Sequence, residues 1–103
     1  MKIAVDAMGG DFAPREIVRG VCRATELYDV NVILVGQEEA IRACIPSRFA
    51  DSPRITVFNA SEVIKMDDHV DAIRTKKDAS LVRCAELVRS GKADAMIGVG
   101  NTA

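Results

Sequence analysis

Two carboxylates and two glycines share the six-residue run Asp6-Ala7-Met8-Gly9-Gly10-Asp11 near the start of the chain. A carboxylate can act as a general base, orient a ligand or accept hydrogen bonds from backbone amides. Glycine has no β-carbon, so the backbone amides of Gly9 and Gly10 can approach an anion closely and the chain can reverse direction there. The run therefore predicts an anion-binding turn, with Asp6 and Asp11 as candidate catalytic or orienting groups.

A second glycine-rich turn, over residues 98–102, follows a short apolar segment. It supplies Gly100, Asn101 and Thr102, whose backbone N–H groups and polar side chains can bind a phosphate or another oxyanion. The turn does not complete a dinucleotide-binding G-x-G-x-x-G motif, because Ala103 stands where the third glycine would be needed. We therefore expect the two turns to form the two walls of one anion site.

Lys76 and Lys77 precede the helix that we predict over residues 80–90 and can neutralise a bound anion. Asp78 or Ser80 can cap that helix. Structural interpretations remain open for all these residues. The lysines are also typical of a solvated surface. Each glycine turn could be a tight connection that needs glycine for its geometry alone, and Asp11 could be a helix cap.

Strands and helices alternate along the chain, which predicts an α/β fold with a mainly parallel sheet. The apolar pattern predicts strands over 2–6, 32–35, 54–58 and 95–97 and helices over 14–28, 37–45, 70–75 and 80–90. The buried face predicted for the first helix consists of Ile17, Val18, Val21, Cys22, Ala24 and Leu27. The buried face predicted for the last consists of Leu81, Val82, Ala85, Leu87 and Val88. If the first and last strands are parallel, both glycine turns lie at the same edge of the sheet, where ligands bind in open α/β folds.

The composition predicts one globular domain or part of one, because 49% of the 103 residues are apolar and 28% are charged. A net charge of −1 and four aromatic side chains argue against nucleic acid as a partner. Three widely spaced cysteines indicate an intracellular, reducing compartment. Because the chain ends two residues after Asn101, where a helix is expected, we expect it to be the N-terminal part of a longer protein.

The motifs and their order resemble the acyl-ACP:phosphate acyltransferase (PlsX) family. The matching segments are 6–11, 12–14, 61–64, 66–68, 76–80, 85–88 and 100–102, which span nearly the whole chain. Two positions depart from the family pattern: Ala79 replaces the first of two serines, and Ala103 replaces a glycine.

The resemblance implies a three-layer α/β/α fold similar to the isocitrate and isopropylmalate dehydrogenases, of which residues 1–103 would be the N-terminal part. It also implies the conversion of acyl-ACP and inorganic phosphate to acyl-phosphate and free ACP, for bacterial phospholipid synthesis. It implies no metal or organic cofactor, a homodimer, and a cytoplasmic protein that associates peripherally with the membrane.

The site residues expected from the turns and the resemblance fall into two groups. The catalytic candidates are Asp6, Asp11, Lys76, Lys77 and Asn101, and the phosphate-binding candidates are Gly9, Gly10, Ser80, Gly100 and Thr102. Two alternatives remain: a folding or interaction fragment that is inactive by itself, and a β-decarboxylating NAD-dependent dehydrogenase of similar fold. Against the dehydrogenase, the sequence has no evident cluster of acidic metal ligands.

Overall fold

The computed structural model describes residues 1–10, 12–62 and 78–98 of the chain. Within these ranges it contains four strands, three α-helices and one 3₁₀ turn at Ser47–Phe49. In chain order the elements are β1 (Lys2–Asp6), α1 (Arg15–Leu27), β2 (Asn31–Gly36), α2 (Glu38–Cys44), β3 (Ile55–Asn59), α3 (Ser80–Arg89) and β4 (Ala95–Ile97). The helix predicted over 70–75 lies outside the described residues. Among the helices described, none is long and apolar enough to cross a membrane.

The four strands form one parallel sheet in the order β3-β2-β1-β4, which confirms the predicted α/β class. In the register, Val5 of β1 lies opposite Leu34 of β2 on one side and Ile97 of β4 on the other. The chain thus adds strands in one direction from β1 to β3 and then places β4 on the other side of β1. The strand order reverses between β1 and β4, and ligands of open α/β sheets bind at such a reversal, outside the carboxyl ends of the strands.

Helices cover both faces of the sheet, as the three-layer expectation requires. The first core, beneath α1 and α2, contains Val5, Ala7, Val18, Cys22, Val32, Leu34, Ile41 and Phe49. The second core, beneath α3, contains Ala4, Ile33, Val35, Ala60, Cys84, Leu87 and Ala93. Successive side chains of a strand point to opposite faces. Residues 32–35 therefore alternate between the two cores, and this apolar run is buried on both sides as predicted.

The buried faces of α1 and α3 differ in part from the predicted ones. Leu27 of α1 is 59% exposed, whereas Thr25 is buried and donates a hydrogen bond from its hydroxyl to the Cys22 carbonyl at 2.8 Å. In α3, Ala85 is exposed, and Ser80 and Cys84 are buried with Leu87. In each helix the buried face includes a hydroxyl side chain in place of a predicted apolar one, because a hydroxyl that makes a hydrogen bond is readily buried.

Candidate functional site at the carboxyl edge of strands β1 and β4

Asp6 is the last residue of β1 and lies at the carboxyl edge of the sheet, the edge where the parallel strands end. Its side chain is on the α3 side and only 6% exposed. Burial of a carboxylate is costly unless hydrogen-bond donors replace its water. Ser80, at the start of α3, supplies one such donor: its hydroxyl lies 2.5 Å from Asp6 Oδ1. Ser80 is itself 1% exposed, so the bond is shielded from solvent.

The Asp6 carboxylate also stabilises the start of the first glycine-rich turn, residues 7–10, which we call the glycine turn. Its Oδ1 accepts a hydrogen bond from the backbone N–H of Met8 at 3.0 Å, and the Ala7 N–H bonds to the Val35 carbonyl at 2.9 Å. An aspartate that bonds to the backbone two residues ahead stabilises a turn locally. The same carboxylate therefore joins β1, the glycine turn and the start of α3.

Met8 secures the turn from the opposite face of the sheet. Its side chain packs over Gly36 at the end of β2, and a β-carbon placed on Gly36 would lie 2.5 Å from Met8 Cγ. The same β-carbon would lie 3.0 Å from Ile41 Cδ1. A larger residue at position 36 would displace Met8 from this position, and the turn is thus anchored by Asp6 on one face and by Met8 on the other.

The two glycines of the turn differ in environment. Gly9 is buried, whereas Gly10 is exposed and has a φ of 86°. A positive φ in this range is unfavourable for residues with a β-carbon. Gly10 is thus required by the backbone conformation of the turn, and its peptide group is accessible from solvent.

The second predicted turn begins beside the first. Val5 and Ile97 are the last paired residues of the β1–β4 register, and Asp6 and Gly98 are the residues that follow them. Gly98 is exposed, and a β-carbon there would lie 3.3 Å from Leu81 Cδ1 of α3. The segments that follow β1 and β4 therefore leave the sheet side by side, where the strand order reverses.

Of the ten predicted site residues, four are in the described part: Asp6, Gly9, Gly10 and Ser80. The structure brings these four to the carboxyl end of β1, with Asp6 bonded to Ser80 directly. The remaining six lie outside the described residues: Asp11, Lys76, Lys77, Gly100, Asn101 and Thr102.

Asp78 anchors the start of α3 through contacts that the sequence pattern does not indicate. Its Oδ2 accepts hydrogen bonds from the Ser61 N–H at 2.9 Å and the Ser61 hydroxyl at 2.5 Å, and its Oδ1 accepts one from Arg83 Nε at 2.7 Å. These hydrogen bonds, first those from Ser61 and then that from Arg83, lower the pKa of Asp78 to about 2. The N-cap position of α3 is Ala79 and receives no side-chain hydrogen bond, so neither Asp78 nor Ser80 acts as the cap.

Backbone hydrogen bonds reinforce this anchor. Glu62 donates its N–H to the Asp78 carbonyl at 3.1 Å and accepts the Ser80 N–H at 3.0 Å. The backbone of Ser80 is thereby fixed where its hydroxyl meets Asp6. Ser61 and Asp78 are 17 residues apart in sequence, and no local pattern links them, so only the fold reveals the pair.

Cys84 lies one helical turn after Ser80 and is fully buried. Burial, and to a lesser extent the negative charge of Asp6, raises the pKa of its thiol to about 12. A thiol with this pKa stays protonated at neutral pH and is a poor nucleophile. Cys84 therefore belongs to the core and not to the reactive groups.

A cleft of about 750 Å³ lies further along the carboxyl edge, beside β2 and β3. It is lined by residues of α2 and by Gln37, Asn59 and Ser61. Two of the polar side chains are already engaged with the backbone, since Asn59 Oδ1 accepts the Glu38 N–H and Gln37 Nε2 donates to the Ser61 carbonyl. No residue of the glycine turn lines this cleft, so we base the candidate site on the turn and not on the cleft.

Comparison with known proteins adds independent information. The profile of a family described as "Fatty acid synthesis protein" matches residues 1–103. A protein named "Phosphate acyltransferase" from Desulfitobacterium hafniense is 48% identical over 103 residues, which cover 99% of this chain and 30% of that protein. Proteins of the same name from Pelotomaculum thermopropionicum and Geobacillus thermodenitrificans are 48% and 49% identical, with the same coverage. The chain thus spans about 30% of the length of the curated relatives it matches.

Proposed function

Because the chain belongs to the fatty acid synthesis protein family, we propose that the protein carrying it is a phosphate acyltransferase. The observation that carries this proposal is the 48% identity over 99% of the chain to proteins of that name. In the proposed reaction, inorganic phosphate takes the acyl group from the thioester of acyl-ACP. The products are acyl-phosphate and free ACP.

The chemistry needs an anion site and an oxyanion site more than it needs a nucleophilic side chain. A phosphate oxygen attacks the thioester carbonyl carbon, and the carbonyl oxygen becomes negatively charged in the tetrahedral intermediate. The carbonyl then re-forms as the C–S bond breaks, and the departing thiolate takes up the proton that the attacking hydrogen phosphate brought. Backbone N–H groups aimed at the developing charge lower the barrier, and holding phosphate beside the thioester supplies a further large part of the rate. The protonated, buried thiol of Cys84 is consistent with direct attack by phosphate.

We assign the described residues as follows. Gly9 and Gly10 present backbone amides to phosphate or to the oxyanion, which the accessibility of Gly10 supports. Asp6 positions that turn through its bond to the Met8 N–H. Ser80 positions Asp6, because its hydroxyl proton is directed to the carboxylate and a contact with phosphate would require that bond to break.

The residues outside the described ranges complete the proposed site. Asn101, Thr102 and Gly100 would form the second wall, starting from Gly98 beside Asp6. Lys76 or Lys77 would neutralise the charge of phosphate, and Asp11 would orient the glycine loop or the phosphate.

The domain organisation, oligomeric state and location that we propose for the whole protein follow from the family resemblance. Residues 1–103 would be the N-terminal portion of a single α/β acyltransferase domain. The whole protein would be a cytoplasmic homodimer that associates peripherally with membranes, acts in bacterial phospholipid synthesis and requires no cofactor. Because the chain spans about 30% of its relatives, we expect it to be inactive when isolated.

The proposal can be tested in a protein of the relatives' full length that begins with these 103 residues. Asp11→Ala and Asn101→Ala should each lower the rate of acyl-phosphate formation from acyl-ACP and phosphate. Asp29→Asn is the matched control, because Asp29 is an exposed carboxylate paired with Arg54 far from the glycine turn. Wild-type rates in both Asp11→Ala and Asn101→Ala would overturn the site assignment, and a wild-type protein that forms no acyl-phosphate would overturn the function.

A further inference from the structure

The helix that follows the glycine turn presents a basic surface to solvent. Arg15, Arg19 and Arg23 recur every four residues on α1, and all three are exposed. Gly20 is also exposed and lies at the edge of this basic row, three residues before Arg23. We call these four residues the α1 outer face.

The three arginines of this face differ from most other arginines of the protein. Elsewhere in the described part, four of the five arginines form ion pairs with carboxylates at 2.7 to 2.8 Å: Arg42, Arg48, Arg54 and Arg83. Within residues 1–10, 12–62 and 78–98, no ion pair involves the arginines of the α1 outer face. Glu26, an acidic residue of the same helix, is engaged by both terminal nitrogens of Arg48. Glu16, exposed in the first turn of α1, offsets part of this charge, so the three arginines and Glu16 together carry a net charge of +2.

Two residues of the α1 outer face disfavour the helix itself. Arg15 lies in the first turn, where the helix dipole is unfavourable to positive charge. Gly20 lies in the middle of the helix, where glycine is a poor helix former, and a β-carbon added there would meet nothing within 4 Å. Packing inside the described structure therefore does not explain the glycine. A bare backbone beside Arg23 suits the close approach of a partner surface.

The position of the face connects it to the candidate site. The α1 helix begins at Arg15, five residues after Gly10, and its 13 residues extend about 20 Å from the carboxyl edge. Phe12, between the turn and the helix, is 75% exposed and offers an apolar contact at the entrance. A protein docked along α1 would thus reach the glycine turn with a group carried at its end.

We propose that the α1 outer face docks an acidic protein surface, which in the proposed reaction belongs to the carrier that delivers the acyl thioester. This inference rests on the proposed function for the identity of the carrier. Complementary charge accelerates encounter and selects the correct partner, and the bare backbone at Gly20 lets the partner approach closely.

The test compares a protein-bound and a small acyl donor in the full-length protein. The variant Arg15→Gln/Arg19→Gln/Arg23→Gln should raise KM for acyl-ACP about tenfold, as expected for the loss of three exposed charge pairs. Its activity with S-acyl-pantetheine, an uncharged small thioester, should stay at the wild-type value. The control is Arg89→Gln, which removes an exposed arginine of α3 on the opposite side of the sheet and should leave both activities unchanged.

Gly20→Gln provides a second variant, because the described fold leaves open space for its side chain. It should weaken the binding of ACP measured by calorimetry and leave the thermal unfolding midpoint at or above that of the wild type. Unchanged ACP affinity in both variants would overturn the docking surface. An equal loss of activity with ACP and pantetheine donors would also overturn it, because the face would then be covered by the protein itself.

Failure of the proposed function is distinguishable from failure of the docking surface. A wild-type protein that forms no acyl-phosphate from either donor contradicts the function. In that case calorimetry with ACP still decides the docking proposal: about tenfold weaker binding by the triple variant supports it, and equal or absent binding refutes it.

Discussion

The hydroxyl of Ser80 donates a hydrogen bond to the carboxylate of Asp6 across 74 positions of sequence. The bond joins the first residue of α3 to the last residue of β1, and both side chains are almost fully buried. It lies where the strand order reverses, directly before the glycine turn. The contact links folding to the candidate site, because the carboxylate that receives the Ser80 proton also holds the Met8 N–H.

Ser80→Ala should destabilise the protein by about 1 to 3 kcal/mol, since it removes a hydrogen-bond donor from a buried carboxylate and leaves the Met8 N–H as the other donor. Urea unfolding of the full-length protein measures the change. Ser90→Ala is the matched control. The Ser90 hydroxyl makes one bond of 3.3 Å to the Leu87 carbonyl near the surface, and its loss should cost less than about 0.5 kcal/mol. Equal unfolding free energies for the two variants would contradict a stabilising role of the Asp6–Ser80 bond.

Gly10→Ala and Gly91→Ala separate backbone strain from a function at the turn. Both glycines have a positive φ, 86° at Gly10 and 82° at Gly91, so alanine should cost about 1 to 2 kcal/mol at either position. Only Gly10→Ala should raise KM for phosphate, because Gly91 lies after α3, away from the glycine turn. The measurement is the initial rate of acyl-phosphate formation as a function of phosphate concentration. A similar KM for phosphate in the wild type and both variants would argue against anion binding at Gly10.

Asp78 should contribute to the loss of stability in acid. Its pKa falls from 3.8 to about 2 on folding, so the protonated form is favoured more in the unfolded state than in the folded state. The stabilisation is therefore fully present above about pH 4 and is lost as the pH falls towards 2. In Asp78→Asn, the thermal unfolding midpoint should be lower than that of the wild type at pH 6, and the difference between the two midpoints should shrink between pH 4 and 2.

Asp51→Asn is the control for this pH dependence, because Asp51 is an exposed residue of the loop before β3. Thermal scans across the pH range should show no comparable convergence for this variant. A constant difference between Asp78→Asn and the wild type from pH 6 to pH 2 would contradict the assigned pKa shift.

Cys84 should resist alkylation in the folded protein. Its thiol is fully buried, and its pKa is raised to about 12, so almost none of it is thiolate at pH 8. Iodoacetamide should modify the half-buried Cys44 first and reach Cys84 only after unfolding. Peptide mass spectrometry at increasing urea concentration reports the order of modification. Rapid labelling of Cys84 without denaturant would show that the α3 side of the sheet opens readily.

The sequence by itself determined most of the local structure. The strand predicted over 2–6 is β1, the strand predicted over 95–97 is β4, and the run 32–35 is buried on both faces as its apolar pattern indicated. The glycine at position 10 was predicted to reverse the chain, and its φ of 86° confirms the need for glycine there. These features follow from preferences that act within a few residues: side-chain periodicity, backbone sterics and the missing β-carbon.

Only the tertiary structure decided which of those elements meet. The placement of β4 beside β1, and not beside β3, brings Gly98 next to Asp6. The same arrangement carries α3 over β1, so that Ser80 reaches Asp6 and is buried, whereas the pattern of α3 had suggested Ala85 for the buried face. No local preference specifies such contacts, because strand order and register depend on the free energy of the whole packed sheet.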